Sequence, residues 1–203
     1  MTTLSDIRAA LAAHEPFVDP MEARMRAAVA LLLCAEAADE EPRLLFIQRS
    51  EKEGDRWSGH VAFPGGRVDA GDAGPRKAAE RETLEEVGID LSCAEYLGRL
   101  DDLSGEKDGI VVSAFVYAIA QPPRLELNHE VDEAFWLGIS EIEEPERHIE
   151  RSFDYKGLEL SLPALRVLDE GRPLLWGITY GFLAGFMERI GRSIPTMEWD
   201  RRL

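Results

Sequence analysis

The segment from His60 to Gly88, HVAFPGGRVDAGDAGPRKAAERETLEEVG, permits few local folds. Its apolar start suits a short strand, and the paired Gly65 and Gly66 let the backbone turn tightly and come close to another group. Pro75 stands where a helix begins, and that helix runs to about Val87 before the Gly88 stop. At about 100° per residue, Ala79, Thr83, Leu84 and Val87 share a stripe expected to face the core, while Glu82, Glu85 and Glu86 fill an adjoining face. Like charges three and four residues apart cost about a few tenths of a kcal/mol each. Arg81 offers Glu85 an i,i+4 partner, and many such faces are simply solvated. A divalent cation reverses the sign of the repulsion, because hard cations such as Mg²⁺ take oxygen ligands shared between one or two carboxylates and the phosphates of a substrate.

The charge of the whole chain sharpens that reading. With 39 acidic against 23 basic residues and a net charge of −16, the surface repels polyanions, which argues against sequence-independent binding of nucleic acid. A phosphate-bearing substrate has to be met by local cations. Cys34 and Cys93 have neither disulfide-scaffold nor zinc-site spacing and read as reduced thiols. The N-terminal MTTLSDIRAALAAHEPF lacks a basic start followed by an apolar run, so a signal peptide is not expected and a cytoplasmic location is. The run LLWGITYGFLAGFM, Leu174 to Met187, falls short of the roughly 20 residues that span a bilayer and reads as a buried helix rather than a membrane segment.

Elsewhere the pattern predicts a helix over Leu4 to Ala13 with Ser5 as its cap, and two antiparallel strands in MRAAVALLLC and RLLFIQRS. Further strands are expected at Glu95 to Leu100, Ile110 to Ala120 and Glu133 to Leu137, then a charged segment, SEIEEPERH, and a helix from about Pro173 to Ile190. Gly177, Gly181 and Gly185 give that helix a smooth stripe for close packing against the core, or against a second subunit in a homodimer. Asp101 and Asp102 read as a turn after a strand. Residues 1–24 are expected to form an N-terminal helix and loop, and residues 25–203 one domain that includes the last helix.

With these residues in view, the chain resembles the Nudix hydrolases, whose box reads G-x5-E-x7-R-E-U-x-E-E-x-G-U, U being a bulky aliphatic. Gly66, Arg81, Glu82, Glu85, Glu86, Gly88 and Ile89 take the corresponding places. Asp72 stands where the first glutamate belongs, eight residues rather than seven separate it from Arg81, and Thr83 occupies the aliphatic position with Leu84 one place late. The segment EVDEAFWLGISEI is also similar to the strand and helix start that follow the box in many members. The resemblance implies an α+β fold, an α/β/α sandwich with a mixed β-sheet between helices, and metal-dependent hydrolysis of a nucleoside diphosphate linked to another group. On that basis Glu82, Glu85 and Glu86 hold Mg²⁺ or Mn²⁺, the Gly66 carbonyl adds a ligand, and Arg81 orients a glutamate.

The run LLFIQRSEKEGDRWSGHVAFPGG is similar to the coenzyme A diphosphatase branch, which approximates L-L-T-x-R-S-[SA]-x3-R-x3-G-x3-F-P-G-G. Arg49, Ser50, Gly59, Phe63, Pro64, Gly65 and Gly66 agree; Ile47 and Glu51 depart, and the second arginine is displaced by one place to Arg56. The implied substrate is coenzyme A or an acyl derivative, giving 3',5'-ADP and (acyl-)4'-phosphopantetheine. ADP-ribose, dinucleoside polyphosphates and nucleoside triphosphates are the alternatives within the family, and a non-catalytic nucleotide-binding regulator is the alternative outside enzymology. Arg49, Arg56 and Arg67 are expected to bind substrate, the first two either clamping phosphates or pairing with surface acids. Trp57 stacks on a base or caps the core, and Glu130, Asp132 and Glu133 are candidates for a further ligand or base, with Glu130 and Glu133 preferred.

Overall fold

The structure is a computed structural model that describes residues 2–37, 39–54, 57–105, 109–155 and 158–196. Its elements in chain order are α1 (Leu4–Ala12), β1 (Met25–Cys34), β2 (Arg43–Arg49), β3 (Val61–Ala62), β4 (Gly65–Arg67) and α2 (Pro75–Val87). They continue with β5 (Glu95–Arg99), β6 (Leu103–Gly105), β7 (Ile110–Ile119), β8 (Val131–Gly138), α3 (Ile139–Ile142), β9 (His148–Tyr155), β10 (Leu158–Leu165), β11 (Leu175–Trp176) and α4 (Gly177–Arg189). None of the described helices is long and apolar enough to cross a membrane.

The central strand is β1, whose near-continuous apolar sequence fits burial on both faces. It runs parallel to β7, from Met25 opposite Ile110 to Cys34 opposite Ile119. Its other edge is shared: β4 pairs with its beginning, Ala27 opposite Arg67, and β2 with its end, Leu33 opposite Leu44. The antiparallel β1–β2 pair read from the sequence is present. β8 and β3 continue the sheet from β2, while β5 and β6 pair with β7, giving a mixed eight-stranded sheet.

Strand alternation sorts the core into two layers. Ala28, Ala30, Leu32, Leu45 and Ile47 pack with Ala78, Ala79 and Val87 of α2. Leu31, Leu33, Leu44 and Phe46 pack on the opposite face with Ile7 and Leu11 of α1 and with Tyr180, Leu183 and Phe186 of α4. Helices thus cover both faces of a mixed sheet, as the family resemblance implied. The alanines of β1 matter here, since small side chains under α2 leave room for its backbone to approach the sheet.

Three features differ from the sequence reading. The cap of α1 is Thr3 rather than Ser5; its hydroxyl accepts the Asp6 N–H and the Asp6 carboxylate accepts the Thr3 N–H, a reciprocal capping box. Asp101 and Asp102 do more than turn the chain: their carboxylates accept the Phe17 N–H at 2.7 Å and the Asp19 N–H at 3.0 Å, tying the N-terminal segment to the sheet. A second, three-stranded sheet, β11-β10-β9, lies where only a charged segment and the start of the last helix were expected, so α4 begins at Gly177. In α4, a Cβ on Gly181 would lie 2.9 Å from Leu103 Cδ1, whereas Gly177 and Gly185 face open space, so the glycine stripe packs closely only at its middle.

Candidate active site

Two glycines bring the loop onto the carboxylates. Gly65 has φ +153°, and a Cβ there would lie 2.3 Å from the Ala28 carbonyl oxygen of β1, so no side chain fits. Freed to turn against β1, the Gly65 N–H donates to Glu86 Oε2 at 2.8 Å. A Cβ on Gly66 would lie 2.4 Å from Glu82 Oε1, which places the loop directly over the second carboxylate. The paired glycines therefore serve close approach between a strand and a carboxylate-bearing helix.

On α2, the buried stripe is rotated from the one read off the sequence. Leu84 is 50% exposed, whereas Glu86 is 1% exposed and shares the buried face with Ala79, Thr83 and Val87. Thr83, at the usually aliphatic position, resolves its polarity locally by donating its hydroxyl to the Ala79 carbonyl at 2.7 Å. The rotation places Glu86 beneath the glycine loop rather than in solvent.

Burial controls the charge of that carboxylate. Desolvation pushes the Glu86 pKa up to about 8, against the pull of the Gly65 N–H and of Arg49, whose Nη1 stands 3.5 Å from Oε1. Burial also raises the pKa of Glu82, and the charges of Glu85 and Glu130 add to the effect while Arg81 opposes it. Glu85 is largely exposed.

Arg81 organises the outer part of the cluster. Its Nε and Nη2 meet the two oxygens of Asp72 at 3.1 and 3.0 Å, and Nη2 also donates to the Arg67 carbonyl. Its Nη1 donates to Glu82 at 3.0 Å and Glu85 at 3.2 Å. The unusual box spacing thus has a physical resolution: aspartate is one methylene shorter than glutamate, and the extra residue in the loop brings it to the guanidinium in bidentate contact. That arginine holds the Asp72 carboxyl below its usual range.

The remaining site candidates separate. Arg49 lies on the α2 side of β2, next to Glu86, and its N–H donates to the His60 carbonyl. Glu130 belongs to the same neighbourhood, its charge felt by both Glu82 and Glu86 and its carboxylate 3.6 Å from Lys52. Glu133 does not: it pairs across the sheet with Gln48, and Arg172 Nη2 bonds both side chains. Trp57 is 39% exposed, and Arg67 is exposed with its carbonyl engaged by Arg81. Arg56 lies outside the described residues. Asp132, the third acid of the stretch that holds Glu130 and Glu133, accepts the Ser50 hydroxyl at 2.6 Å, which joins the residue after β2 to the start of β8; the pairing itself is not legible from sequence, because the partners are 82 residues apart.

Among the described residues, no three His, Cys, Asp or Glu side chains stand positioned to hold a metal ion, and Arg81 Nη1 donates to both Glu82 and Glu85. The donor chemistry nevertheless suits a hard divalent cation. Glu86 is a buried carboxylate with one N–H donor and one distant guanidinium, Glu82 is half-buried beside other acids, and both gain from a positive charge at the loop. Mg²⁺ commonly takes only one or two carboxylates, the rest of its shell coming from water and substrate phosphates.

Residues 24–156 match the family described as NUDIX domain. An uncharacterised protein of Schizosaccharomyces pombe is 34% identical over 67% of this chain and 48% of its own, so the chain spans about half the length of that relative. An uncharacterised Nudix hydrolase NudL of Citrobacter koseri is 34% identical over 68% of this chain and 71% of its own. The mitochondrial coenzyme A diphosphatase NUDT8 of Mus musculus is 30% identical over 77% and 76%. Among solved structures, a MutT/nudix family protein from Enterococcus faecalis matches 93% of this chain and 70% of its own with a TM-score of 0.55 and 20% identity, a likeness of fold.

Proposed function

Because this chain belongs to the Nudix family, we propose that it is a pyrophosphohydrolase acting on a nucleoside diphosphate linked to another group, with coenzyme A or acyl-coenzyme A as substrate. The products are 3',5'-ADP and (acyl-)4'-phosphopantetheine. The observation that carries the reading is the buried Glu86 carboxylate, held under the FPGG loop by the Gly65 N–H and faced by Arg49. Arg49, Ser50 and the Gly59 to Gly66 segment are the residues similar to the coenzyme A diphosphatase branch, and the relative named as such covers three-quarters of this chain.

In this reading Glu82 and Glu86, with Glu85 and the Gly66 carbonyl, hold Mg²⁺ or Mn²⁺. When bound, the cation neutralises negative charge on the diphosphate oxygens. Arg49 orients the substrate by donating to a phosphate oxygen, and Trp57, Arg67 and Arg56 are the further residues assigned to substrate binding. Arg81, anchored by Asp72, fixes the positions of Glu82 and Glu85. Glu130 is the base that takes a proton from the attacking water; Glu133, on the far face of β2, is not used. Water adds to one phosphorus in line with the bridging oxygen, the P–O bond breaks, and the diphosphate divides into two phosphomonoesters.

The reading is tested by product analysis from coenzyme A, dephospho-coenzyme A and ADP-ribose in parallel, with Mg²⁺, Mn²⁺ or EDTA. Metal-dependent release of 4'-phosphopantetheine, fastest from coenzyme A, is expected. Cleavage of ADP-ribose alone keeps the family and removes the substrate; no cleavage of any of the three, nor of nucleoside triphosphates, points instead to a nucleotide-binding regulator.

A further inference from the structure

The three-stranded sheet β9–β11 meets the main sheet beside β3, next to the site. Ile149, Arg151, Leu162, Ala164 and Trp176 share one face of it by strand alternation and register. On that face the Arg151 guanidinium carbon lies 4.3 Å from the centre of the Trp176 ring, a cation–π stack. Trp176 in turn packs against His60, ring centres 5.2 Å apart at 58°. His60 is joined to the catalytic neighbourhood directly, since its carbonyl accepts the Arg49 N–H at 2.9 Å and Arg49 faces Glu86. A continuous line of contacts therefore leads from the buried carboxylate through Arg49 and His60 to Arg151.

Two aspects of Arg151 are unusual for this chain. The net charge is −16, yet among the described residues no carboxylate is paired with its guanidinium; an indole ring holds it instead. A cation fixed by its flat face keeps its edge donors directed outward, which is the geometry guanidinium uses for phosphate oxygens. Around Glu86 the charges of Glu82 and Glu130 add to the negative field, which repels a second anionic group there.

We propose that Arg151, stacked on Trp176 beside His60, forms a second anion subsite that binds a phosphate on the ribose of the substrate, separate from the diphosphate held at Arg49 and Glu86. The inference rests on the proposed nucleotide chemistry and adds to it the residue that distinguishes a ribose-phosphorylated nucleotide from one without that group. Arg151 is thus a specificity residue supplied by the C-terminal hairpin, outside the segment that carries the glycine loop and the glutamates. Its role is to bind, so it affects KM and ligand selection rather than the chemical step.

Binding is measured by calorimetry on the full chain with Mg²⁺, using adenosine 5'-monophosphate and adenosine 3',5'-bisphosphate, neither of which contains a diphosphate bond to be cleaved. The native protein is expected to prefer the bisphosphate by about tenfold, the scale of one charge-assisted contact. Arg151→Gln, which keeps a planar group on the indole and removes the charge, should abolish the preference without weakening the monophosphate, and Arg151→Lys should restore part of it. No preference in the native protein, including failure of both ligands to bind, overturns the proposal. So does an equal loss for both ligands in Arg151→Gln, or a fall in melting temperature with the preference intact, which would make the stack a brace. Coenzyme A turnover measured alongside keeps the two readings apart. Turnover without a bisphosphate preference removes the subsite alone, and an Arg151-dependent preference without turnover removes the catalytic reading alone.

Discussion

Glu86 and Asp102 are both buried acids, 1% and 3% exposed, and their surroundings differ in a way that separates site from scaffold. Asp102 accepts from Arg99 Nη2 at 2.6 Å and from the Asp19 N–H at 3.0 Å, while Arg99 is also bonded to Ser113. Glu86 accepts one N–H at 2.8 Å, its guanidinium stands off at 3.5 Å, and its pKa is pushed up to about 8. One carboxylate closes a network that binds the N-terminal segment to β5 and β7. The other is short of positive charge. Burial of an acid alone therefore does not mark a functional group; burial with too little compensation does.

The largest effect that would break this comparison is on turnover. Glu86→Gln should lower kcat by about a thousandfold, in the range for loss of a principal electrostatic group, while the melting temperature near neutral pH stays the same or rises because folding no longer has to protonate a buried carboxylate. An unchanged kcat would put Glu86 with Asp102, as scaffold.

Asp102→Asn should behave in the opposite sense. Leaving Arg99 without its buried partner is expected to cost about 3 kcal/mol in denaturant unfolding, with kcat of the folded fraction preserved. A loss of kcat without a loss of stability would erase the distinction.

The pH dependence sharpens it further. In EDTA, folded Glu86 keeps its proton up to about 8, whereas the ordinary value is 4.5, so its contribution to stability is fully present below about pH 4.5 and is lost as pH rises through 8. Melting temperatures of the native protein in EDTA should fall faster than those of Glu86→Gln across this window, and Mg²⁺ should reduce the difference. Parallel curves in EDTA would show that Glu86 is already compensated.

The smallest effect concerns the acid on the far face of the sheet. Glu133→Gln removes an exposed pair with Arg172 and should change stability by no more than about 1 kcal/mol and kcat by less than about twofold. A large loss of turnover would bring Glu133 back as a ligand or base.

The parts of the fold governed by local pattern were readable. The apolar runs of β1 and β2 predict an antiparallel strand pair, and Pro75 and Gly88 bracket α2 as they do in the structure. The second sheet left a signal that went unused: Leu158, Leu160, Leu162 and Ala164 alternate strictly after Lys156-Gly157, which is a hairpin pattern. The site was legible to the level of its loop and helix, but the rotation of α2 was not. Glu86 lies at the centre of the buried arc only because the Gly65 N–H and Arg49, brought from other strands, make its burial tolerable. Contacts such as Arg81 with Asp72, Asp102 with Asp19, and Arg151 with Trp176 depend on how the chain returns on itself, and residue type alone does not specify them.

The most direct test of the central claim is calorimetric titration of Mg²⁺ into the native protein and into Glu86→Gln at pH 7, repeated in buffers of different ionisation enthalpy. Binding to the native protein should displace the Glu86 proton and give a buffer-dependent heat, and Glu86→Gln should bind weakly and release none. Equal affinity and equal proton release in the two proteins would contradict the account.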